Sequence, residues 1–253
     1  MMPIKATVIS CEKENEQVSL LTFDISMPNA KPGQFAMVWL AGEDEKPMSI
    51  ANASPLKFAI ANAGEISQKL SSCKKGDILF VRGPYGKPFE PIGKKWLLVG
   101  GGYGFAPLRF LASEGAKSGK TIESVLGARS SKYLMKPSVG KMHITTDDGS
   151  SGTKGNVLAV LEPLLQKEKF DCIYCCGPEK MMLAVAKLAK THKIRSQVSI
   201  ERYMKCGFGI CGHCAMGGWL SCIDGPTIDG EEALKYTQFG KTCHDRAGTE
   251  VEI

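Results

Sequence analysis

The chain has 253 residues, 43% of them hydrophobic, enough for one large core or two smaller ones, and no apolar run of about eighteen residues is available to span a membrane. Its beginning lacks the apolar stretch of a secretory signal, and the clustering of its 10 cysteines favours metal binding in a reducing cytoplasm over disulfides. The net charge of +6 arises from residues 93–198, which contain 17 basic and 8 acidic residues. This surplus suits a dinucleotide or an ordinary solvated surface and, without interleaved aromatic residues, disfavours nucleic acid.

Six short segments rich in Val, Ile, Phe and Trp occupy the first ninety residues. They lie near 5–11, 18–25, 34–40, 47–52, 57–62 and 77–82. Turn residues such as Pro28 and Gly33 separate them, as expected between short strands. Strands at this spacing predict a six-stranded antiparallel β-barrel, which we assign to residues 1–92.

The pattern changes at Trp96, where apolar runs begin to alternate with helical segments. Strands are predicted at 96–100, 121–127, 142–146 and 170–176, and helices at 106–117, 156–168 and 178–191. Such alternation is typical of a parallel sheet with helices packed on its faces. We therefore expect an α/β domain over residues 93–198, followed by a C-terminal tail over residues 199–253 with little core of its own.

Two glycine-containing turns in the predicted α/β domain each follow a strand and open a helix. The residues are Gly101, Gly102 and Gly104 in the first turn, and Cys176, Gly177 and Pro178 in the second. Backbone N–H groups at a helix start can receive a phosphate, and both turns fall at the carboxyl edge of the sheet. Together they predict a dinucleotide site, although either turn alone is also an ordinary strand-to-helix connection.

Four cysteines lie within seventeen residues of the tail: Cys206, Cys211, Cys214 and Cys222. A gap of four residues followed by a gap of two is the plant-type spacing for a 2Fe–2S cluster, which takes four thiolates. Five interspersed glycines allow the loop to approach a cluster closely. Structural zinc is the alternative, but it usually takes two short cysteine pairs, and only Cys211 and Cys214 form one. Cys243 is the alternative fourth ligand.

Segments along the whole chain resemble the ferredoxin–NADP reductase superfamily, in which a flavin barrel precedes a nicotinamide domain. They are Lys46-Pro-Met-Ser-Ile50, Gly83-Pro-Tyr-Gly86, Gly101-Gly-Tyr-Gly-Phe-Ala-Pro-Leu108, Leu126-Gly-Ala-Arg129, Thr146-Asp-Asp-Gly-Ser150 and Cys176-Gly-Pro-Glu-Lys-Met-Met182. The ending, from Glu201-Arg-Tyr-Met-Lys-Cys206 to Ser221-Cys-Ile-Asp-Gly-Pro226, is similar to the electron-transfer subunits of two-subunit, NAD-linked dihydroorotate dehydrogenases.

The resemblance implies three cofactors: FAD, the 2Fe–2S cluster and NAD as electron acceptor. It places FAD on Lys46, Pro47, Met48 and Ser49, on Ala59, Ile60 and Ala61 of the next strand, and on Ile66 and Ser67 beside the flavin diphosphate. A lysine here replaces the family's arginine, so that a bidentate phosphate contact becomes a point charge. Ile66 replaces a glycine of the family motif.

The resemblance also implies a pathway: dihydroorotate is oxidised in a separate flavin-containing subunit, and its electrons pass through the cluster and FAD to NAD in pyrimidine biosynthesis. Since flavin links hydride and one-electron chemistry, we expect no side chain to act as a catalytic acid or base. The expected assembly is a two-plus-two heterotetramer without nucleic acid or membrane. His213, Met216 and Trp219 are expected either at the electron exit or packed over the cluster.

Several alternative functions share parts of this pattern. Related subunits of hydrogenase, sulfite reductase or ferredoxin–NADP oxidoreductase complexes carry most of these motifs. An oxygenase reductase fits less well, because such chains usually attach a longer ferredoxin domain. A zinc-stabilised binding module without redox activity is the alternative of another class, and an absorption spectrum separates it, since zinc is colourless.

Overall fold

Residues 2–253 are described by a computed structural model, which begins with a barrel. Its strands are β1 (Ile4–Lys13), β2 (Val18–Phe23), β3 (Phe35–Trp39), β4 (Glu45–Ala53), β5 (Leu56–Ala61) and β6 (Ile78–Tyr85). They close in the order β1–β2–β5–β4–β3–β6, with every pair antiparallel, and a short helix α1 (Glu65–Ser71) follows β5. Because alternate side chains of a strand face opposite sides, residues such as Phe58 and Ile60 fill the barrel. The predicted barrel is confirmed.

The second part of the fold is a mostly parallel sheet. Its elements are β7 (Lys95–Gly101), α2 (Phe105–Lys117), β8 (Thr121–Ala128), β9 (Lys141–Thr146), β10 (Thr153–Lys154), α3 (Leu158–Lys167), β11 (Cys172–Cys176), α4 (Glu179–Thr191) and β12 (Arg195–Ser199). In β7, Trp96 and Leu98 pack with α2 on one face, whereas Leu97 and Val99 pack with α3 and α4 on the other. Both faces are therefore covered, as predicted. No helix within residues 2–253 is long and apolar enough to cross a membrane.

The tail is built into this sheet. It contains β13 (Ala215–Met216), β14 (Trp219–Leu220), β15 (Thr227–Asp229), α5 (Gly230–Ala233), β16 (Thr242–His244) and β17 (Glu250–Glu252). Strand β15 pairs antiparallel with β12, so the sheet order is β10–β9–β8–β7–β11–β12–β15. Met216, Trp219 and Phe239 are buried in the core that also contains α3 and α4. The tail thus shares the core of the α/β domain, and the residue limits of the three domains stay a prediction.

The turn between β1 and β2 fastens the barrel to the α/β domain. The side chain of Glu14 is only 1% exposed, and its Oε1 accepts hydrogen bonds from Arg109 Nη1 and Lys136 N, each at 2.7 Å. Next to it, Asn15 Nδ2 donates to the carbonyl oxygen of Tyr133 at 3.0 Å. These contacts fix the relative position of the two parts, and hence the shape of the space between them.

Candidate functional site

The four predicted cluster cysteines lie on the segment between β12 and β15. Its backbone is left-handed at Gly207 (φ 76°) and Gly209 (φ 85°). A Cβ atom on Gly209 would lie 2.7 Å from Ile223 Cγ1, so a larger residue would push the two sides of the loop apart. The hairpin β13–β14 connects Cys214 to Cys222. Glycine and hairpin together fold the ligand loop onto itself.

The cysteines form two neighbouring pairs. The Sγ atoms of Cys214 and Cys222 are 3.3 Å apart, and Cys211 lies beside Cys206, whose pKa its side chain helps to lower. Each iron of a four-cysteine 2Fe–2S cluster takes two thiolates, so two adjacent pairs match its ligand set. Within residues 2–253, no three His, Cys, Asp or Glu side chains are arranged around a single metal ion. The two adjacent cysteine pairs fit the four-thiolate ligand set of a two-iron cluster.

The loop also prepares one of these thiols for metal binding. Burial alone would raise the pKa of Cys206, but three backbone N–H groups of the loop and the Cys211 side chain outweigh it and lower the pKa to about 6. Burial, followed by the neighbouring Cys214 thiol, raises the pKa of Cys222 to about 12. A thiol binds a metal as the thiolate, so these two predicted ligands differ in how easily they lose the proton.

A single arginine of the barrel holds the cluster loop. From β6, Arg82 donates through Nη2 to the carbonyl oxygen of Cys206 at 2.7 Å and through Nε to Glu45 Oε1 at 2.7 Å. Its guanidinium group also lies 5.3 Å from the ring centre of Phe208. Met37 of β3 packs against the same loop, 3.0 Å from the position of a Cβ on Gly207. The predicted cluster site is thus attached directly to the barrel.

Two adjoining cavities lie between the barrel and the α/β domain, and we call them together the flavin cavity. The first, of about 190 Å³, and the second, of about 920 Å³, share the lining residues Pro47 and Met48. Of the predicted FAD contacts, those that line the flavin cavity are Lys46, Pro47, Met48, Ser49, Ala59, Ala61, Ile66 and Ser67. Ile60 does not line the cavity, because its side chain points into the barrel core, as strand residues alternate.

The two predicted nicotinamide turns pack directly against each other. A Cβ on Gly104 would lie 2.6 Å from Gly177 Cα, and a Cβ on Gly101 would lie 2.6 Å from Pro178 Cδ. The turns therefore meet at the carboxyl edge of the sheet, as expected. Gly102 differs, because its left-handed backbone (φ 54°) has open space around it. Cys176 is buried, and burial raises its pKa well above the usual value.

Among the cavity residues that the sequence did not predict are Tyr103, Glu201 and Arg202. Solvent reaches Glu201 through the cavity, yet protein atoms surround its carboxyl group, and this desolvation raises its pKa. The charge of Glu201, followed by burial, raises the pKa of Tyr103 to about 12. Arg202 is buried and forms a two-pronged ion pair with Glu179, with Nη2 and Oε1 2.7 Å apart. The signal for Tyr103 was its place in the first glycine turn, and the signal for Glu201 and Arg202 was the motif preceding Cys206.

Exposed apolar side chains surround the ligand loop. Met216 and Trp219 are 0% and 7% exposed, so of the two positions expected for them the packed one is found, in the core of the α/β domain, while His213 is half-buried. The exposed residues are instead Ile210 at 78%, Phe208 at 47% and Ile223 at 47%, next to the exposed Cys211. We call these four residues the cluster rim.

Comparisons with known proteins agree with this arrangement. Residues 201–234 match the model of the iron–sulfur cluster binding domain of dihydroorotate dehydrogenase B. A probable dihydroorotate dehydrogenase B (NAD⁺) electron transfer subunit from Methanocaldococcus jannaschii is 45% identical, over 87% of this chain and 88% of the relative. A protein of the same name from Methanopyrus kandleri is 40% identical, over 97% of each chain. The chain belongs to this family.

Solved structures extend the comparison to the fold. A chain from the structure of NADH-dependent reduced ferredoxin–NADP oxidoreductase has a TM-score of 0.82 and 30% identity, and the match covers 92% of each chain. The ferredoxin reductase of carbazole 1,9a-dioxygenase has a TM-score of 0.67 at 22% identity, covering 76% of this chain and 66% of the other, and supports the fold alone.

Membership of the electron transfer subunit family confirms the predicted class, an oxidoreductase subunit with a flavin-reductase fold and an iron–sulfur region. The predicted cofactors FAD, 2Fe–2S and NAD agree with this family and fold. The assignment of individual residues to these cofactors stays a prediction. The zinc-stabilised module without redox activity has no support from the comparisons.

Proposed function

We propose that this chain carries electrons from dihydroorotate, oxidised in a partner subunit, through a 2Fe–2S cluster and FAD to NAD in pyrimidine biosynthesis. One observation carries the proposal: residues 199–204 line the flavin cavity and lead directly to Cys206. Tyr103, within the first glycine turn, borders the same cavity. The candidate sites for nicotinamide, flavin and cluster therefore adjoin, as an electron path requires.

In this proposal, bound flavin supplies the conversion between hydride exchange with nicotinamide and single-electron exchange with the cluster. The chain's own residues bind and orient. Cys206, Cys211, Cys214 and Cys222 hold the iron atoms. Pro47, Met48 and Ser49 form one wall of the flavin cavity, and the packed glycine turns present backbone to the nicotinamide. Arg82 keeps the cluster loop at a fixed position on the barrel.

The cluster rim is the proposed docking surface for a flavin-containing dihydroorotate dehydrogenase subunit. Three apolar side chains exposed beside a metal-ligand loop are costly to leave in water and favour contact with a protein. Docking at the rim would bring the partner's flavin towards the cluster. We propose a cytoplasmic complex of two copies of each subunit; the relatives' name, electron transfer subunit, supports the existence of a partner subunit.

The rim is tested by Ile210→Glu, with Val139→Glu as its control. Val139 is also exposed, at 45%, but lies on the loop before β9 and outside the cluster rim. A carboxylate buried in the interface should weaken subunit association by about tenfold or more. NADH oxidation with an artificial acceptor should be unchanged in both variants. Equal affinity of the two variants for the partner, measured by titration calorimetry, would remove the rim from the interface.

The electron path is tested on the chain purified without oxygen. It should contain FAD and two iron atoms per chain, and it should oxidise NADH with artificial acceptors but not oxidise dihydroorotate. Mixing with the catalytic subunit should produce dihydroorotate-dependent reduction of NAD. One zinc and no iron in material protected from oxygen would overturn the proposal.

A second candidate function keeps the same electron path but changes the partner. The 30% identical chain from NADH-dependent reduced ferredoxin–NADP oxidoreductase matches 92% of this sequence with a TM-score of 0.82. Isolating the native complex and identifying the second subunit distinguishes the two. A partner other than a dihydroorotate dehydrogenase subunit would overturn the pyrimidine assignment while leaving electron transfer in place.

A further inference from the structure

The cations expected to bind the flavin diphosphate are already paired within the protein. Lys46, the predicted phosphate contact, has its Nζ 2.6 Å from Asp44 Oδ2. Arg202, which lines the same cavity, is occupied by Glu179. The diphosphate of FAD carries two negative charges. Lys46 and Arg202 already neutralise the carboxylates of Asp44 and Glu179, so these two pairs alone offer the diphosphate no net positive charge.

The predicted hydroxyl contact, Ser67, is also engaged locally. Its Oγ accepts hydrogen bonds from Ala63 N at 3.0 Å and Gly64 N at 2.9 Å, and it donates to the Gly64 carbonyl oxygen at 2.9 Å. These three hydrogen bonds occupy the hydroxyl proton of Ser67 and the backbone N–H groups of Ala63 and Gly64, so none of them is free to bind a phosphate. The motif on the barrel therefore offers less positive charge and fewer donors than its sequence suggests.

Arg246 is the cation at this end of the flavin cavity that has no carboxylate partner. It lies in the turn of the hairpin β16–β17 and lines the cavity together with Lys46, Ser67 and Tyr203. Within residues 2–253, no Asp or Glu oxygen forms an ion pair with its guanidinium group, and its side chain is exposed. The charge of Arg246 helps to lower the pKa of Asp44, but the hydrogen bond of the Asp44 carboxylate comes from Lys46.

We propose that Arg246 binds the diphosphate of FAD, so that the C-terminal hairpin closes the flavin cavity. The inference rests on the proposed FAD site and adds a residue from the far end of the chain to it. A guanidinium group suits this role because its planar donors can bind two phosphate oxygens at once, which the lysine at position 46 cannot do. Arg246 thus supplies the bidentate contact that Lys46 lacks.

The same hairpin also contacts the cluster loop. A Cβ on Gly248, two residues after Arg246, would lie 3.4 Å from Nε2 of His213, and His213 lies between Cys211 and Cys214. One short turn therefore reaches the diphosphate end of the flavin cavity on one side and the ligand loop on the other. Binding of FAD should consequently order the hairpin against the cluster loop.

The test compares Arg246→Gln and Arg246→Lys with Lys241→Gln. Lys241 is exposed near the start of the same hairpin and does not line the cavity, so its substitution removes an equal charge. Flavin is removed from the full, cluster-containing chain, and the Kd values of FAD and riboflavin are measured by fluorescence titration. Arg246→Gln should weaken FAD binding by about tenfold or more and leave riboflavin unchanged, with an intermediate loss for Arg246→Lys.

Three outcomes would overturn the inference: a Kd for FAD within about twofold of the unsubstituted chain, an equal loss for riboflavin, or an equal loss in Lys241→Gln. Because Arg246 is exposed, the variants should fold, and unchanged cluster absorbance confirms it. Failure of the unsubstituted chain to bind FAD would instead overturn the proposed function, so the two failures are distinguishable.

Discussion

The four cluster cysteines differ in their surroundings although they belong to one ligand set. Cys214 and Cys222 are buried, Cys206 is half-buried and Cys211 is exposed. Cys243 is separate, since it lies on β16 and pairs with Val251 across the terminal hairpin. Position on the terminal hairpin, rather than burial, thus separates Cys243, which is half-buried like Cys206, from the four predicted ligands.

Serine at any one of the four ligand positions should abolish the cluster, whereas Cys243→Ser should retain it. A serine oxygen is a poor replacement for a thiolate, and two thiolates are needed on each iron. Iron content and the electron paramagnetic resonance signal of the reduced protein provide the measurement. A retained signal in Cys222→Ser together with its loss in Cys243→Ser would show that Cys243 is the fourth ligand.

Glu179→Ala should reduce the free energy of unfolding by about 3–5 kcal/mol, because it leaves the buried guanidinium group of Arg202 without its counter-ion. It also removes the acceptor for Gly240 N, 2.8 Å from Glu179 Oε1. Glu114→Ala is the control, since it removes an exposed pair with Lys117 on α2 and should have little effect. Urea denaturation measures both, and equal midpoints would contradict the expected cost.

Residue roles were predictable where they belong to a compact motif. Ser49 lies on β4 at the flavin cavity, as the motif around it indicated. Arg246 could not be found in this way, because it reaches the cavity from a hairpin about 200 residues further along the chain. A single arginine in a polar turn has no sequence signal until the fold brings it beside Lys46.

Secondary-structure elements with strong apolar alternation were the most predictable part of the fold. All six barrel strands and β7, β8, β9 and β11 fall where the sequence placed them. Strand β15 was missed because it has only three residues, and its place in the sheet depends on pairing with β12. The sequence left open whether Met216 and Trp219 are packed or exposed for a related reason, since the hairpin that buries them is formed by two strands of only two residues each.

The two glycine turns should respond very differently to an added methyl group. A Cβ on Gly177, whose φ is 151°, would lie 2.8 Å from Gly101 N and force the turns apart. Gly177→Ala should therefore raise the KM for NADH by about tenfold and lower stability by roughly 2 kcal/mol. Gly102→Ala meets open space and costs only the strain of a left-handed backbone, about 1 kcal/mol.

Steady-state kinetics with an artificial acceptor and thermal melting distinguish the two glycine variants. If Gly177→Ala and Gly102→Ala gave the same KM for NADH, the close contact between the turns would not be shaping the nicotinamide site.

At the scale of the whole molecule, Glu14 joins the barrel to the α/β domain. Glu14→Ala should leave Arg109 without its carboxylate and Lys136 N without its acceptor. The barrel and the α/β domain should then unfold less cooperatively. We expect calorimetry to show a broadened or divided unfolding transition. Glu16→Ala is the control, since its side chain is exposed two residues away. A single, unchanged transition in Glu14→Ala would contradict the fastening role.

The exposure of Cys211 has a consequence for the order in which the complex is made. Cys214 and Cys222 are buried, so iron and sulfide can reach the ligand loop only from the side of Cys211, which is also the cluster rim. A docked partner would close that side, and cluster insertion must therefore come before subunit association. Iron and sulfide added to the free, cluster-depleted chain should restore the paramagnetic signal, whereas the same addition to a cluster-depleted complex should restore much less. Equal recovery in both would mean that the route to the ligands stays open after docking. Lower recovery in the complex would mean that the subunits can assemble only after the cluster has been inserted.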